Sequence, residues 1–167
     1  KYSFMKKISH IIDLFNEKIG ILTSYLVIPL ILITFFVAFM RYALDFGSIA
    51  IQEITIYLHA LIFTVGASYT LKNNMHVRID IFYNKFSDNL KKNINLFGTI
   101  FFLLPSCILI FITSFNYVIS SIMLLESSKE AGGLPILYIL KSYILLMVFT
   151  LFLQAISEII KNSRKEL

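Results

Sequence analysis

Two segments of this chain are long enough to cross a lipid bilayer and contain no charged residue. Ile19 to Met40 has 22 residues and Asn93 to Leu125 has 33. At about 1.5 Å of helical rise per residue, the shorter one spans roughly 33 Å, and the hydrocarbon core of a bilayer is about 30 Å thick. Because backbone amides in that core must be paired internally, both segments are predicted to be membrane helices.

The composition agrees with a membrane location. Hydrophobic residues make up 57% of the chain and the mean hydropathy is +0.79, more than a water-soluble surface tolerates. The net charge of +5 would suggest nucleic acid binding in a soluble protein. Here the basic residues flank apolar segments, so we expect membrane lipids, and no nucleic acid, as their partners. Cys107 is the single cysteine and is predicted to be a small buried hydrophobic residue.

Hydrophobic periodicity predicts an all-α integral membrane protein with a single domain over residues 1–167. Four membrane helices are expected at 19–40, 54–71, 93–125 and 135–160. Two amphipathic helices are expected on the membrane surface at 4–18 and 78–92, where apolar residues recur at helical spacing opposite charged ones.

Prolines and turn residues are expected to interrupt these helices. Pro29 should bend the first membrane helix, and the third, about 50 Å long if wholly helical, must tilt, kink near Pro105 or project beyond the bilayer. Asp45 to Glu53 is predicted to be a short polar turn, with Asp45 or Ser48 as the N-cap of the second helix. The run Gly132-Gly133-Leu134-Pro135 predicts a turn whose proline occupies the first position of the fourth helix.

The distribution of lysine and arginine predicts the topology. The N-terminal segment has four, residues 72–92 have five and the C-terminal tail has three, which places twelve on one side of the membrane. The other side has Arg41, Lys129 and Lys141. Because basic loops stay in the cytoplasm, both termini and the central loop are expected there, with two short loops outside.

Among the ionisable residues, His59 lies well inside a predicted membrane helix, where such a residue is a functional candidate. A haem would need a second axial ligand, and His10 and His76 are expected on the cytoplasmic side instead. We therefore prefer a hydrogen bond from His59 to Glu53 or to a polar group of a partner helix.

The other charged candidates lie near the two predicted outer loops. Lys141 could line a translocation path, but it could also reach the outer surface or pair with Glu126 or Glu130. Arg41 and Glu53 bracket the first outer loop and could pair with each other or face an external protein.

Two further groups of residues are candidates for contact with partners or lipid. Ala60, Thr64 and Ser68 fall at i, i+4 and i+8 and form a small-residue face that lets another helix approach. The polar residues at the start of the second surface helix are expected to contact lipid phosphate or to form a local salt bridge: His76, Arg78 and Asp80.

The sequence contains no phosphate-binding loop, no metal-ligand spacing and no nucleophile with an adjacent base. It also contains no pair of broken helices in matching positions, which is typical of a transporter's own substrate site. These absences indicate an accessory membrane subunit without enzymatic activity or cofactor.

Several motifs resemble the small membrane subunit (DctQ-type) of tripartite ATP-independent periplasmic (TRAP) transporters, over roughly residues 10 to 160. The most specific block is His76-Val77-Arg78-Ile79-Asp80-Ile81-Phe82-Tyr83. The others are Arg41-Tyr42, Phe46-Gly47-Ser48-Ile49-Ala50, Gln52-Glu53, Leu58-His59-Ala60, Gly66-Ala67, Tyr69-Thr70-Leu71-Lys72 and Gly132-Gly133-Leu134-Pro135 with Lys141.

The resemblance implies a multi-pass subunit of the bacterial cytoplasmic (inner) membrane with four helices and cytoplasmic termini. It implies two partners: a large membrane subunit (DctM-type) that holds the substrate and sodium sites, and a periplasmic binding protein (DctP-type) that delivers an organic acid. The small subunit would act as a scaffold, with either the Ala60, Thr64 and Ser68 face or the long third helix against the large subunit.

Two other functions remain open from the residues alone. One is a haem or quinone membrane anchor of a respiratory enzyme, using His59. The other is a small exporter that works as a dimer, with Lys141 or His59 on its path.

Overall fold

The computed structural model describes residues 2–76, 83 and 85–163, and every regular element in this part of the chain is helical. The elements are α1 (Tyr2–Ser24), α2 (Val27–Ala43), α3 (Ile49–Lys72), α4 (Asp88–Gly98), a π-helical turn (Thr99–Leu103), α5 (Leu104–Met123) and α6 (Leu137–Asn162). The pair α1 and α2 forms one composite span, and α4 to α5 forms another. With α3 and α6, four spans are long and apolar enough to cross a membrane, which confirms the predicted all-α architecture.

The first span is interrupted just before Pro29. The break between α1 and α2 lies at Tyr25 and Leu26, one turn before the proline. Pro29 has no N–H to donate to the carbonyl of Tyr25, and the N–H of Ile28 donates to that oxygen instead, at 3.3 Å. Helix α1 has no break near residue 18, so the predicted surface helix 4–18 is continuous with the first membrane segment.

The third span is irregular just before Pro105. The N–H of Leu104 donates to the carbonyl of Thr99, which widens the turn between Thr99 and Leu103. Such a widened turn accommodates a proline within a continuous helix. At its start, the Ser87 side chain caps α4. Residues 78–82 and 84 of the predicted surface helix 78–92 lie outside the described residues, and residues 88–92 belong to α4 and continue into the third span.

Helices α3 and α6 begin at positions that differ from the expected ones. Helix α3 starts at Ile49, so Glu53 is helical and does not belong to a polar turn. Ser48 occupies the N-cap position, although its side chain makes no capping hydrogen bond. Helix α6 starts at Leu137, two residues after Pro135. The prediction that Pro135 is the first residue of this helix was therefore wrong.

Helix α6 is the centre of the packing, because α1, α3 and α5 all lie against it. In the described part of the chain, α2 packs mainly on α3. The buried side chains are mostly small or polar, whereas large aromatic ones point outward, as expected when lipid surrounds the protein. The most buried are Asn16, Val65, Ser68, Val118, Thr150, Gln154, Ala155 and Ser157, and the exposed aromatics include Phe35, Phe63 and Phe102.

The two ends of the structure differ in the segments that form them. We call the end with the loops 44–48 and 124–136 the loop end. We call the opposite end, where α1 begins and α3 and α6 finish, the terminal end. Helix α1 runs antiparallel to α3, since Glu17 pairs with Lys72 and Gly20 packs on Tyr69.

Candidate partner interface

Glu53 joins the two loops at the loop end. Its Oε1 accepts a hydrogen bond from the Ser128 hydroxyl, and its Oε2 accepts one from the N–H of Leu134 at 2.6 Å. Gly133 leaves the necessary space, because a Cβ there would lie 2.6 Å from Ser128 Cβ and 2.8 Å from Glu53 Oε1. The loop 124–136 is thereby fixed on the first turns of α3.

The same loop is also held by its own backbone. The N–H of Ser128 donates to the carbonyl of Leu134 and the N–H of Gly133 to that of Glu130, both at 3.0 Å. Gly132 has a φ of +81°, a conformation that favours glycine. Gly132 and Gly133 are therefore required by the conformation of the loop 124–136.

Lys141 is neutralised beside this loop. Its ammonium pairs with the Glu126 carboxylate and lies over the Tyr117 ring, 4.2 Å from the centroid. The hydrogen bond from Lys141 holds the pKa of Glu126 below its ordinary value of 4.5. Of the alternatives left open for Lys141, the structure shows the pair with Glu126.

Of the two alternatives for Arg41 and Glu53, pairing with each other was wrong. Both Glu53 oxygens bind the loop 124–136, and within the described residues no ion pair joins Glu53 to Arg41, which is exposed at the end of α2. The alternative hydrogen bond from His59 to Glu53 was also wrong. The His59 side chain is exposed and lies six residues further along α3.

The small-residue face of α3 is directed largely into the chain. Ser68 is 1% exposed and donates to the carbonyl of Val65 at 3.0 Å, so it has no surface to offer a partner. Ala60 and Thr64 are half-buried and line one wall of a groove of about 450 Å³ between α3, α5 and α6. The other lining residues of this groove include Tyr117, Glu126, Leu140, Lys141 and Ile144.

Sequence reasoning missed a polar seam between α1 and α6 near the terminal end. Asn16 Nδ2 donates to Gln154 Oε1 at 2.8 Å, and the two hydroxyls of Ser9 and Ser157 are 2.8 Å apart. Gln154 is fully buried and Asn16 is 1% exposed. In this seam, amides and hydroxyls occupy the buried contact between α1 and α6, a position that is usually apolar in a soluble protein.

Charged groups close this seam. Asp13 Oδ1 accepts hydrogen bonds from Ser157 Oγ at 2.7 Å and from Gln154 Nε2 at 3.1 Å. Lys161 Nζ lies 2.9 Å from Asp13 Oδ2 and 2.8 Å from Glu158 Oε1. Paired in this way, the charges connect α1 to α6.

A sequence signal for the seam exists in the spacing of its residues. On α1 the inward residues are Ser9, Asp13, Asn16, Gly20 and Thr23, and on α6 they are Thr150, Gln154, Ser157 and Lys161. Both sets alternate steps of three and four, which is the heptad spacing of helices that pack side by side. A search for hydrophobic periodicity does not detect this pattern, because its residues are polar or small.

The remaining candidates are in the central segment. His76 is exposed, with Nε2 3.4 Å from the Thr70 hydroxyl. Arg78 and Asp80 lie outside the described residues. The expected contact of these three residues with lipid or with each other stays a prediction.

The fold and these clusters define a class: a small multi-pass membrane protein whose polar groups mainly join its own helices and loops. The chain belongs to the DctQ family, because the family described as "Tripartite ATP-independent periplasmic transporters, DctQ component" matches residues 30–165. The family identifies it as the small permease subunit of a TRAP transporter, which confirms the resemblance. Comparison with curated proteins and with solved structures found no match.

Proposed function

We propose that this chain is the scaffold of a TRAP transporter, on which the large DctM-type membrane subunit is held. The observation that carries the proposal is that several charged side chains bind other segments of the same chain. Glu53, Lys141 and Asp13 are each bound by groups of neighbouring segments. Side chains committed to such contacts stabilise a rigid support and leave substrate chemistry to a partner.

The outward surface supports the same proposal. Phe35 on α2 is 70% exposed and Phe102 in the third span is 67% exposed, and α2 and α5 each pack mainly on one other helix. Apolar surface of this extent must be covered by lipid or by another membrane protein.

The transport reaction is proposed from the family. The complex would take up an organic acid with sodium, and a DctP-type periplasmic binding protein would deliver it. No observation favours a haem or quinone anchor or a self-sufficient exporter, because His59 points outward and Lys141 is paired with Glu126.

Reconstitution with single omissions tests this function. Proteoliposomes that contain this chain, the large subunit and the binding protein should accumulate a labelled organic acid when sodium is supplied outside. Vesicles that lack any one protein should show only background uptake. Sodium-dependent uptake by this chain alone would contradict the proposal.

We also propose that the terminal end faces the cytoplasm of a bacterial inner membrane, since twelve of the fifteen lysines and arginines flank that end. A membrane-impermeant amine reagent applied to intact spheroplasts should label Lys129, which is exposed at the loop end. It should label Lys85, exposed near the terminal end, only after lysis. Labelling of Lys85 from outside would reverse the topology.

A further inference from the structure

A groove follows α6 at the loop end of the fold. Helices α3 and α5 both pack on α6, and within the described residues they make little contact with each other. The space left between them has a volume of about 450 Å³. Its floor is a half-buried face of α6, on which Leu137, Leu140 and Ile144 recur in steps of three and four. We call this space the loop-end groove.

The wall that α3 contributes is formed by small side chains and needs no hydrogen-bonding partner from outside the helix. Ala60 has only a methyl group, and the Thr64 hydroxyl donates to the carbonyl of Ala60 at 2.8 Å. Thr64 therefore has its polar atom satisfied within α3. Together with Leu140 and Ile144 on the floor, these side chains give the groove an interior that is suited to hydrocarbon.

The mouth of the groove has an excess of one positive charge among its described residues. Lys129 and Lys141 line it together with Glu126. The ammonium of Lys141 is paired with the Glu126 carboxylate, so these two charges cancel. Lys129 is exposed, and in the part of the chain that the structure describes no ion pair involves it. An anionic group at the mouth would therefore be attracted to Lys129.

The dimensions of the groove match one leaflet of a bilayer and one hydrocarbon chain. Thr64 lies eleven residues beyond Glu53 on α3, which is about 16 Å of helix, and half of a hydrocarbon core of about 30 Å is about 15 Å. Another helix, about 10 Å in diameter, would need roughly 1,200 Å³ over that length, far more than the 450 Å³ of the groove. The groove therefore admits a hydrocarbon chain but not the backbone of a partner helix.

Two other cavities lack this combination of an apolar interior and a positive mouth. One, of about 300 Å³ between α5 and α6, is lined by Cys107, Phe149 and other apolar residues, so nothing in it attracts a headgroup. The other, of about 600 Å³ at the terminal end, has Glu158 as the one carboxylate or ammonium among its described lining residues, and a carboxylate repels anions. The loop-end groove is thus the best match to an anionic amphiphile.

We propose that the loop-end groove binds one anionic phospholipid of the surrounding leaflet, with the headgroup phosphate at Lys129 and one acyl chain along Leu140 and Ile144. The lipid fills the gap between α3 and α5 and connects the loop 124–136 to the membrane surface. This inference goes beyond the proposed scaffold function and does not depend on it, because every group that it uses belongs to this chain or to the bilayer.

Photo-crosslinking with defined lipids tests the site. The full chain would be placed in phosphatidylcholine nanodiscs that contain a small fraction of phosphatidylglycerol with a diazirine in one acyl chain. After irradiation, peptide mapping should find the label concentrated on Leu140 and Ile144. A photoreactive phosphatidylcholine with the same chains should label these two residues less. Both lipids should label Phe35, which is 70% exposed on α2 and reports contact with bulk lipid, to the same extent.

Substitutions test the two parts of the site separately. Lys129→Gln, at an exposed position of the loop, should reduce the labelling of the groove by phosphatidylglycerol about fivefold, the effect of one basic residue near a membrane surface. Lys18→Gln, which removes an exposed lysine of α1 that does not line the groove, should not reduce it. Ala60→Leu should fill the groove and remove the label from Ile144 but not from Phe35.

Three results would overturn the proposal. The first is labelling of Leu140 and Ile144 that does not exceed that of Phe35. The second is equal labelling of the groove by the two lipids, unchanged in Lys129→Gln, since the groove would then hold only bulk lipid. The third is loss of the label from the groove when the chain is irradiated in its native membrane together with any large subunit that it binds, since a protein would then cover the groove.

Discussion

Replacement of Gln154 measures how much the polar seam stabilises the fold. Gln154 is fully buried on α6 and connects that helix to α1 through Asn16 at 2.8 Å and Asp13 at 3.1 Å. Gln154→Met keeps the length and approximate volume of the side chain but removes the two hydrogen bonds to α1, together with the one that Gln154 donates to Glu158 on its own helix. Gln154→Ala removes the volume as well.

The expected loss of stability can be estimated from these contacts. Interhelical hydrogen bonds in membranes contribute about 0.6 kcal/mol each on average, so Gln154→Met should lower the free energy of unfolding by about 1 kcal/mol. Gln154→Ala also leaves a cavity of roughly 50 Å³, which at about 24 cal/mol per Å³ adds about 1 kcal/mol. Phe152→Leu, at a partly exposed position on the same helix, should change stability by less than about 0.5 kcal/mol.

Equilibrium unfolding of the full chain in bicelles, by steric trapping, measures these differences. A double-mutant cycle with Asn16→Leu isolates the contact between the two amides and should give a coupling energy of about 0.5–1 kcal/mol. A coupling energy near zero, or a Gln154→Met variant more stable than wild type, would refute the claim that the seam joins α1 to α6 through hydrogen bonds.

Two further perturbations test the contacts at opposite ends of the fold. Gly20→Ala should weaken the packing of α1 on α3, because the new Cβ would lie 2.6 Å from Tyr69 Cβ, whereas Gly66→Ala meets nothing within 4 Å. Thermal unfolding should show a lower midpoint only for Gly20→Ala, and equal midpoints would contradict the packing. Acid should break the pair of Glu126 and Lys141. The hydrogen bond from Lys141 lowers the pKa of Glu126 from its ordinary value of 4.5. The stabilisation by this pair is therefore complete above pH 4.5 and is lost as the pH falls below that value. Protease cleavage of the loop 124–136 should accelerate only below that pH, and acceleration near neutral pH would contradict the assignment.

The sequence predicted the features that depend on local composition and proline chemistry. Two of the four apolar spans were evident from the length of their uncharged segments, and the irregularities before Pro29 and Pro105 follow from their missing N–H groups. The pairing of Lys141 with Glu126 was also among the predicted alternatives. Each of these features depends on residues close in sequence or on the thickness of the bilayer.

Contacts between distant segments were not predictable in the same way. Glu53 reaches Ser128 and Leu134 across more than seventy residues, whereas the sequence suggested a pair with Arg41 or contact with an external protein. Residues 4–18 were predicted to form a helix on the membrane surface, whereas in the structure Asp13 and Asn16 of this segment bind α6. In a membrane protein the polar stripe can be the buried one, since the surrounding lipid covers apolar surface equally well.

The most direct test of the account is the composition of the assembly that contains this chain. The chain, with an affinity tag and expressed from its native locus, would be extracted in a mild detergent and analysed by native mass spectrometry. We predict that it leaves the membrane bound to one larger multi-spanning protein. Recovery of the chain only as a monomer or homo-oligomer, from cells in which its transport activity is intact, would contradict the scaffold role.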